Sequence, residues 1–281
     1  MNNNKLQILV LGGRGFLGKA ACHELRDHDV FTFGRGAEKN HVQGNILSLN
    51  DLKAAIANKD YLINLVGLSP LKKPTSATYE EIHVLGVKNL LLACKDAKLR
   101  KLIHISALGA NKASDIEYLK TKGISEDLIL ESDISATIFC PSFIFDKDNE
   151  LIKYSSKFAY GIMFPDIPAK IQPIFRGDMA KLVSLAIEGI ITEKRIEVAG
   201  PEVMTVFSLA SKVFNKKGMP CIPISLYFLI PGMRIAAFFN MFGLSEDQIR
   251  MLYTDSITDS NGAGKYISLT RFDDWLKNAP I

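Results

Sequence analysis

Cysteine is scarce in this chain of 281 residues: four are present, Cys22, Cys94, Cys140 and Cys221. They lie far apart, without the short spacing of a metal site or a redox pair, so reduced thiols are expected and no metal centre is predicted. An excess of one charge is also missing. The 34 Lys and Arg against 30 Asp and Glu leave a formal +4, which gives no sign of a nucleic-acid partner but is compatible with an anionic ligand or an acidic membrane surface. The opening, MNNNKLQILVLGG, has no signal-peptide layout, because its apolar stretch ends at once in glycines; this predicts a cytoplasmic protein. Repeats, low-complexity tracts and flexible linkers are absent. So is an uninterrupted membrane span: the most apolar stretch, Cys221 to Ser245, is broken by Pro223, Pro231, Gly232 and Arg234.

What remains is an ordinary globular composition, 47% hydrophobic and 23% charged. Short apolar runs alternate with helical spacing. KLQILVL, DVFTFGRG, a short run before Gly44, YLINLVG, KLIHIS and ATIFCPS read as strands. The segments from Phe16, Ser48, Thr78 and Asp115 read as helices, the second of them capped by Ser48 or Asn50. That rhythm predicts a Rossmann-type α/β fold, a doubly wound parallel sheet covered on both faces. After about residue 145 the alternation loosens. The expectation is a dinucleotide-binding domain over residues 1–200 and a smaller, mainly helical lobe over 201–281. The apolar stretch from Cys221 offers that lobe a core, a greasy pocket wall or a face for a membrane or partner. A closing helix, LTRFDDWLKN, is expected to pack through Phe272, Trp275 and Leu276.

The stretch LGGRGFLG follows the first strand and opens a helix. A helix N-terminus presents free N–H groups and a positive dipole end, which suit a diphosphate. Gly12 allows the tight turn, Gly15 removes a Cβ that would block phosphate, and Gly18 lets the helix lie close to the sheet. Arg14, Phe16 and Leu17 complete the turn. The second strand ends in FGR, without the acidic residue that holds an unphosphorylated ribose. Arg35 with Arg14 can bracket a 2′-phosphate, so NADP(H) is preferred and NAD(H) remains possible. Asn45 is placed for the adenine, and Val66 and Gly67 bring backbone beside the cofactor. Ser106, Lys122 and Pro141, at the fifth strand, its helix and the sixth strand, complete the cofactor-contacting set.

Together the Gly-x-x-Gly-x-x-Gly turn, NLVG, HISALGA, YLKTKGISE, CPSFIF, IQPIF with GDMA, and AGPEVMT resemble the extended, atypical branch of the short-chain dehydrogenase/reductase superfamily. Within it the chain is most similar to the group of the NADPH-binding accessory subunit of respiratory complex I and related coenzyme Q synthesis proteins. The resemblance implies a catalytic Tyr118–Lys122 pair, four apart on one helix face. Lys122 would hold the nicotinamide ribose and lower the Tyr118 phenol's pKa, and Glu126 would steady Lys122. Two positions depart from the pattern. Leu108 stands where a substrate-orienting Ser or Thr is usual, and His83 where an Asn is common. Polarisation of a carbonyl would then fall to Tyr118 alone or to another group such as Ser142. His83 is read as a relay or a structural residue, and His104 as a core residue.

Three functions fit these residues. One is an NADP(H)-dependent oxidoreductase acting on a small, apolar carbonyl or hydroxyl compound. Another is a non-catalytic NADPH-binding structural or assembly factor of a respiratory or quinone-synthesis complex, with peripheral membrane association at the inner face. The third is a sugar-nucleotide-type epimerase or dehydratase.

Overall fold

The computed structural model describes residues 5–36, 40–70, 77–149, 151–153, 163–224 and 250–280. Most of the apolar stretch from Cys221 to Ser245, residues 225–245, lies outside them. Contacts divide the chain into two compact units, one drawn from Met1–Leu68, Pro74–Pro141 and Arg176–Glu197, the other from Ser69–Lys73, Ser142–Phe175 and Val198–Ile281.

In chain order the first elements are β1 (Gln7–Leu11), α1 (Phe16–Glu24), β2 (Asp29–Gly34), β3 (His41–Gln43), α2 (Leu49–Ile56) and β4 (Tyr61–Asn64). A π-helical turn, Glu80–Leu85, then runs into α3 (Gly86–Cys94), followed by β5 (Lys101–Ile105), α4 (Glu117–Leu130), β6 (Ala136–Pro141), β7 (Ile144–Phe145), β8 (Met163–Pro165), β9 (Lys170–Ile171) and β10 (Ile174–Phe175). Last come α5 (Arg176–Ile187), β11 (Arg195–Val198), β12 (Met204–Thr205), α6 (Val206–Lys216), β13 (Ile222–Ile224) and α7 (Phe272–Asn278).

The first unit is built on a seven-stranded sheet in the order β3-β2-β1-β4-β5-β6-β11. Its pairs are parallel: Ile8 faces Val30 on one side and Tyr61 on the other, and Asn64 faces His104. The last pair keeps the same sense, with Ile138 N–H donating to the Lys194 carbonyl and Ser142 N–H to the Val198 carbonyl. Strands covered on both faces must be apolar throughout, and Ile8, Leu9, Val10 and Leu11 are fully buried. Leu9, Leu11, Leu62, Leu102, Ile138 and Cys140 meet Leu52 and Ile56 of α2, Val87 and Leu90 of α3 and Ile129 of α4 in one cluster. Helices α1 and α5 pack on each other, α5 also meeting β5. The strand order reverses between β1 and β4, and such a switch point opens a crevice at the carboxyl ends of the strands.

Local signals account for the helix starts. Ser48, one of the two caps expected from sequence, accepts from the Asp51 N–H at 3.3 Å. Thr78 and Glu81 form a reciprocal capping box: the Thr78 N–H donates to the Glu81 carboxylate at 2.7 Å, and the Glu81 N–H to the Thr78 hydroxyl at 3.1 Å.

The second unit holds three two-stranded pairs, β7 with β10, β9 with β12 and β8 with β13. Its core gathers Phe145, Ile171, Val206, Leu209, Val213, Phe272 and Leu276. The closing helix packs as its sequence predicts: Phe272 and Leu276 are buried and Trp275 lies 5.2 Å from the Phe145 ring. Ser142, read as a spare polarising hydroxyl, is engaged here. It donates to the Ser256 carbonyl at 2.6 Å and accepts from the Gln172 N–H at 3.2 Å.

Candidate functional site

The glycine turn leaves β1 at the switch point. Gly12 has φ +78°, and a Cβ there would press on the Leu65 carbonyl carbon and oxygen at 3.1 and 3.2 Å, so the position demands glycine on both counts. At Gly18 a Cβ would lie 2.2 Å from the Gly12 carbonyl oxygen, so this glycine lets α1 sit on the turn. Gly15 differs. Its φ of −72° suits any residue, and a Cβ would meet only the Gly12 oxygen, at 3.1 Å. Nothing within the chain requires glycine there as strongly, yet it caps α1 with no side-chain bond to the helix amides. A backbone left bare toward solvent at a helix N-terminus is a cradle for an anion. The turn therefore fits the diphosphate of a dinucleotide. Phe16 flanks it, with the Arg176 guanidinium 4.9 Å from its ring and 3.3 Å from its carbonyl. Leu17 is buried beneath.

Arg14 of the glycine loop and Arg35 at the end of the second strand are both exposed. Arg14 lies against Gly36, where a Cβ would stand 2.9 Å from each terminal guanidinium nitrogen. Arg35, next in line, borders an open depression of about 450 Å³ shared with Gln43, Gly44, Asn45 and Asp51. Asn45 shapes this wall: its amide oxygen accepts from the Leu47 N–H, and its own N–H donates to Asp51, each at 3.0 Å.

Helix α4 carries Tyr118 and Lys122 toward the ends of β4 and β5. Lys122 is buried, and its ammonium donates to the Ile105 carbonyl at 2.8 Å. Burial lowers its pKa to about 8, with Glu126 pulling the other way. Gly67 lies beside the ammonium; a methyl there would make ordinary contact with it, 3.4 Å from Nζ and 3.5 Å from His83 Nε2. Tyr118 stands half-buried among aromatic rings, 5.7 Å from Tyr79 and 5.7 Å from His83, edge-on to both. Burial first and the Tyr79 phenol second push its pKa up. This corrects the expectation that Lys122 depresses it: the ammonium is turned to Ile105 and is not among the groups that move the phenol.

Glu126 favours the charged Lys122 through space, as expected, and has further partners of its own. One carboxylate oxygen accepts from the Ser106 hydroxyl and from the Cys140 thiol, and the other from Arg195 Nε at 2.8 Å. Glu126 thus ties α4 to β5, β6 and β11, while reaching Lys122 only through space. Ser106 is 3% exposed and its hydroxyl points inward to that carboxylate. Pro141 is buried, its carbonyl accepting from Leu108 N–H at 2.8 Å. Leu108 is itself buried. The Val66 N–H is taken by the Asn64 amide oxygen at 3.1 Å.

Both buried histidines are neutral. His83 Nε2 accepts from the Leu68 N–H at 3.1 Å, and its Nδ1 faces the Thr121 hydroxyl at 3.0 Å, itself a donor to the Glu117 or Tyr118 carbonyl. The proton therefore sits on Nδ1. Burial, then Lys122 and His104, lower the His83 pKa to about 2. With both nitrogens engaged, His83 is structural rather than a relay. His104, 1% exposed, takes a bond from the Asn64 amide at 3.1 Å, and its Nε2 has no partner among the described residues. It is the core histidine expected. Tyr79, Thr121, Arg176 and Arg195 escape a reading of motifs. Only Thr121, between Tyr118 and Lys122, carried a signal, by sharing their helix.

Strand order and the glycine turn define the class: a Rossmann-type α/β chain. Residues 8–123, from β1 into α4, match the NAD dependent epimerase/dehydratase family. The chain is similar to the protein named NADH dehydrogenase [ubiquinone] 1 alpha subcomplex subunit 9, mitochondrial, of Arabidopsis thaliana, at 25% identity over 97% of this chain and 75% of that one. It is also similar to the protein of the same name in Mus musculus, at 22% identity over 77% of this chain and 63% of that one, so the match leaves more than a third of the mouse protein uncovered. In fold it is similar to MoeE5 in complex with UDP-glucose and NAD, with a TM-score of 0.72 and 16% identity over 96% of each chain. Among the described residues no helix is long and apolar enough to cross a membrane.

Proposed function

We propose that this chain binds NADP(H) at the glycine turn and retains it as a bound group, serving as an accessory or assembly component of a respiratory or quinone-linked complex. The observation that carries the binding is the bare cradle at Gly15, next to Arg14, whose guanidinium lies against Gly36, the residue after Arg35. Gly12, Gly15 and Gly18 would receive the diphosphate, Arg14 and Arg35 the 2′-phosphate, and Lys122 the nicotinamide ribose. Bound there, the dinucleotide supplies hydride chemistry at its nicotinamide.

Retention over turnover is supported by the hydroxyls around Tyr118. A developing oxyanion is best stabilised by several preorganised donors. Here Ser106 serves Glu126, Leu108 replaces the usual donor, and the phenol's pKa is raised. The similarity to proteins named as subunits of an NADH dehydrogenase points the same way.

A second reading, an oxidoreductase of small apolar substrates or a sugar-nucleotide-type epimerase, is favoured by the Tyr118–Lys122 pair standing on one face of α4 at the mouth of β5. In that case Tyr118 holds the transferred proton. The two readings separate when the chain is purified with its cofactor from its own cells. The first expects dinucleotide to copurify, to survive challenge with a panel of aldehydes and ketones, and the chain to comigrate with NADH dehydrogenase activity on a native gel. Rapid oxidation of the bound cofactor by a carbonyl compound, lost in Tyr118→Phe, would overturn it in favour of the second.

A further inference from the structure

We infer that His83 is a positioning residue for the cofactor-facing turn after β4, and that its two ring nitrogens do separate work. This rests on the binding reading above.

The turn Val66–Leu68 follows β4, which ends at Asn64. One end of it is fixed by the Asn64 amide oxygen, which takes the Val66 N–H. The other is fixed by His83, whose Nε2 takes the Leu68 N–H at 3.1 Å. Between these two bonds lies Gly67, exposed, with Lys122 Nζ and His83 Nε2 both close enough to touch an added methyl. The second nitrogen, Nδ1–H, donates to Thr121, one residue before Lys122 on α4. The imidazole therefore bridges the turn that presents Gly67 to the helix that presents Lys122.

The surrounding structure holds the ring for this task. The capping box at Thr78 starts the helix, and a π-helical turn, a local widening often found at functional sites, carries the His83 side chain inward. Tyr79 and Tyr118 pack against its ring at 5.5 and 5.7 Å. The groups facing it are Lys122, His104, Tyr79, Tyr118 and the Thr121 hydroxyl. The ring is held as a neutral acceptor toward Leu68. A ligand lying along Gly67 and reaching Lys122 meets a gap whose width this one side chain sets.

The two arms can be cut separately, because an Asn amide ends where Nδ1 stands and a Gln amide reaches to where Nε2 stands. His83→Gln keeps an acceptor for Leu68 and loses Thr121; His83→Asn keeps Thr121 and loses Leu68. Thr121→Val removes the helix arm while leaving the imidazole. NADPH binding and hydrogen exchange of the Leu68 amide are measured on the full chain. Expected are wild-type-like Leu68 exchange and NADPH affinity down about threefold for His83→Gln and Thr121→Val, which lose the helix arm alone. For His83→Asn we expect fast Leu68 exchange and affinity down about tenfold, a difference of about 1.4 kcal/mol. A purely structural role would weaken binding in step with the unfolding midpoint, whichever arm is lost. Wild-type affinity in His83→Asn, or equal losses in His83→Asn and His83→Gln, would overturn the inference. Fast Leu68 exchange in the unliganded wild type would overturn the bridge itself. A protected Leu68 amide in a wild type that binds neither NADPH nor NADH would instead overturn the binding reading, and with it the cofactor half of this inference.

Discussion

Acidification should loosen the first unit, and His83 sets a measurable share of the loss. In the folded chain burial holds its imidazole neutral, with a pKa lowered to about 2. Unfolded, the same ring titrates near 6.5. Below that value the unfolded chain takes up a proton that the folded chain refuses, so stability is flat above about pH 6.5 and falls as pH drops from there toward 2. At about pH 5 the unfolded state gains RT ln(1 + 10^1.5), about 2 kcal/mol, from this one ring. His104, also pushed well below its ordinary value by burial, acts in the same direction. Lys122, with its folded pKa near 8, stays protonated in both states across this window and drops out. The assay is urea unfolding of wild type and His83→Gln at about pH 7.5 and about pH 5. Carboxylates titrate in both proteins and cancel in the comparison. The wild type should lose about 2 kcal/mol more than the variant on acidification. Equal losses would refute the neutral, doubly engaged imidazole.

Other consequences follow from the same contacts. Arg35→Asp should cost about tenfold or more in NADPH affinity while leaving NADH binding within about threefold; parallel isotherms for the two cofactors test this, and an unchanged preference would remove the arginines from the account. Gly18→Ala places a methyl against backbone atoms at 2.2 and 2.6 Å, and should lower stability by about 1–3 kcal/mol, read by denaturant unfolding. Glu126→Ala leaves Arg195 with Glu197 as its remaining carboxylate and leaves Ser106 and Cys140 without their acceptor; a loss of about 2 kcal/mol is expected in the same assay. Dinucleotide affinity should fall as pH rises through about 8, where Lys122 gives up its proton; a titration series from neutral to alkaline pH, with Lys122→Met as the flat control, checks it.

Much of the first unit is legible in the sequence because its signals are local. Continuous apolar runs such as Gln7–Leu11 mark buried parallel strands, the glycine spacing marks the turn, and Ser48 caps its helix. Tyr118 and Lys122 share a helix face, as four-residue spacing requires. The electrostatics were not legible. Whether Lys122 tunes the phenol depends on where its flexible chain ends, and a carbonyl on β5 claims it. Glu126 also bonds Arg195, 69 residues later, which no pattern around Tyr118 could reveal. His83 and Thr121, 38 residues apart, meet only because the helices carrying them pack together. In the second unit, residues 142–175 assemble with residues beyond 198, and the short strands there leave too brief a periodicity to read.

The most direct test of the central claim is calorimetric titration of NADPH into wild type and Gly15→Ala, with unfolding midpoints measured alongside. Position 15 has an ordinary backbone, and a methyl there would press only the Gly12 carbonyl oxygen, at 3.1 Å, so the variant should fold with a slightly lowered midpoint. Its affinity should drop about tenfold or more if phosphate lies against that backbone. Equal NADPH affinity in the two proteins would contradict the account.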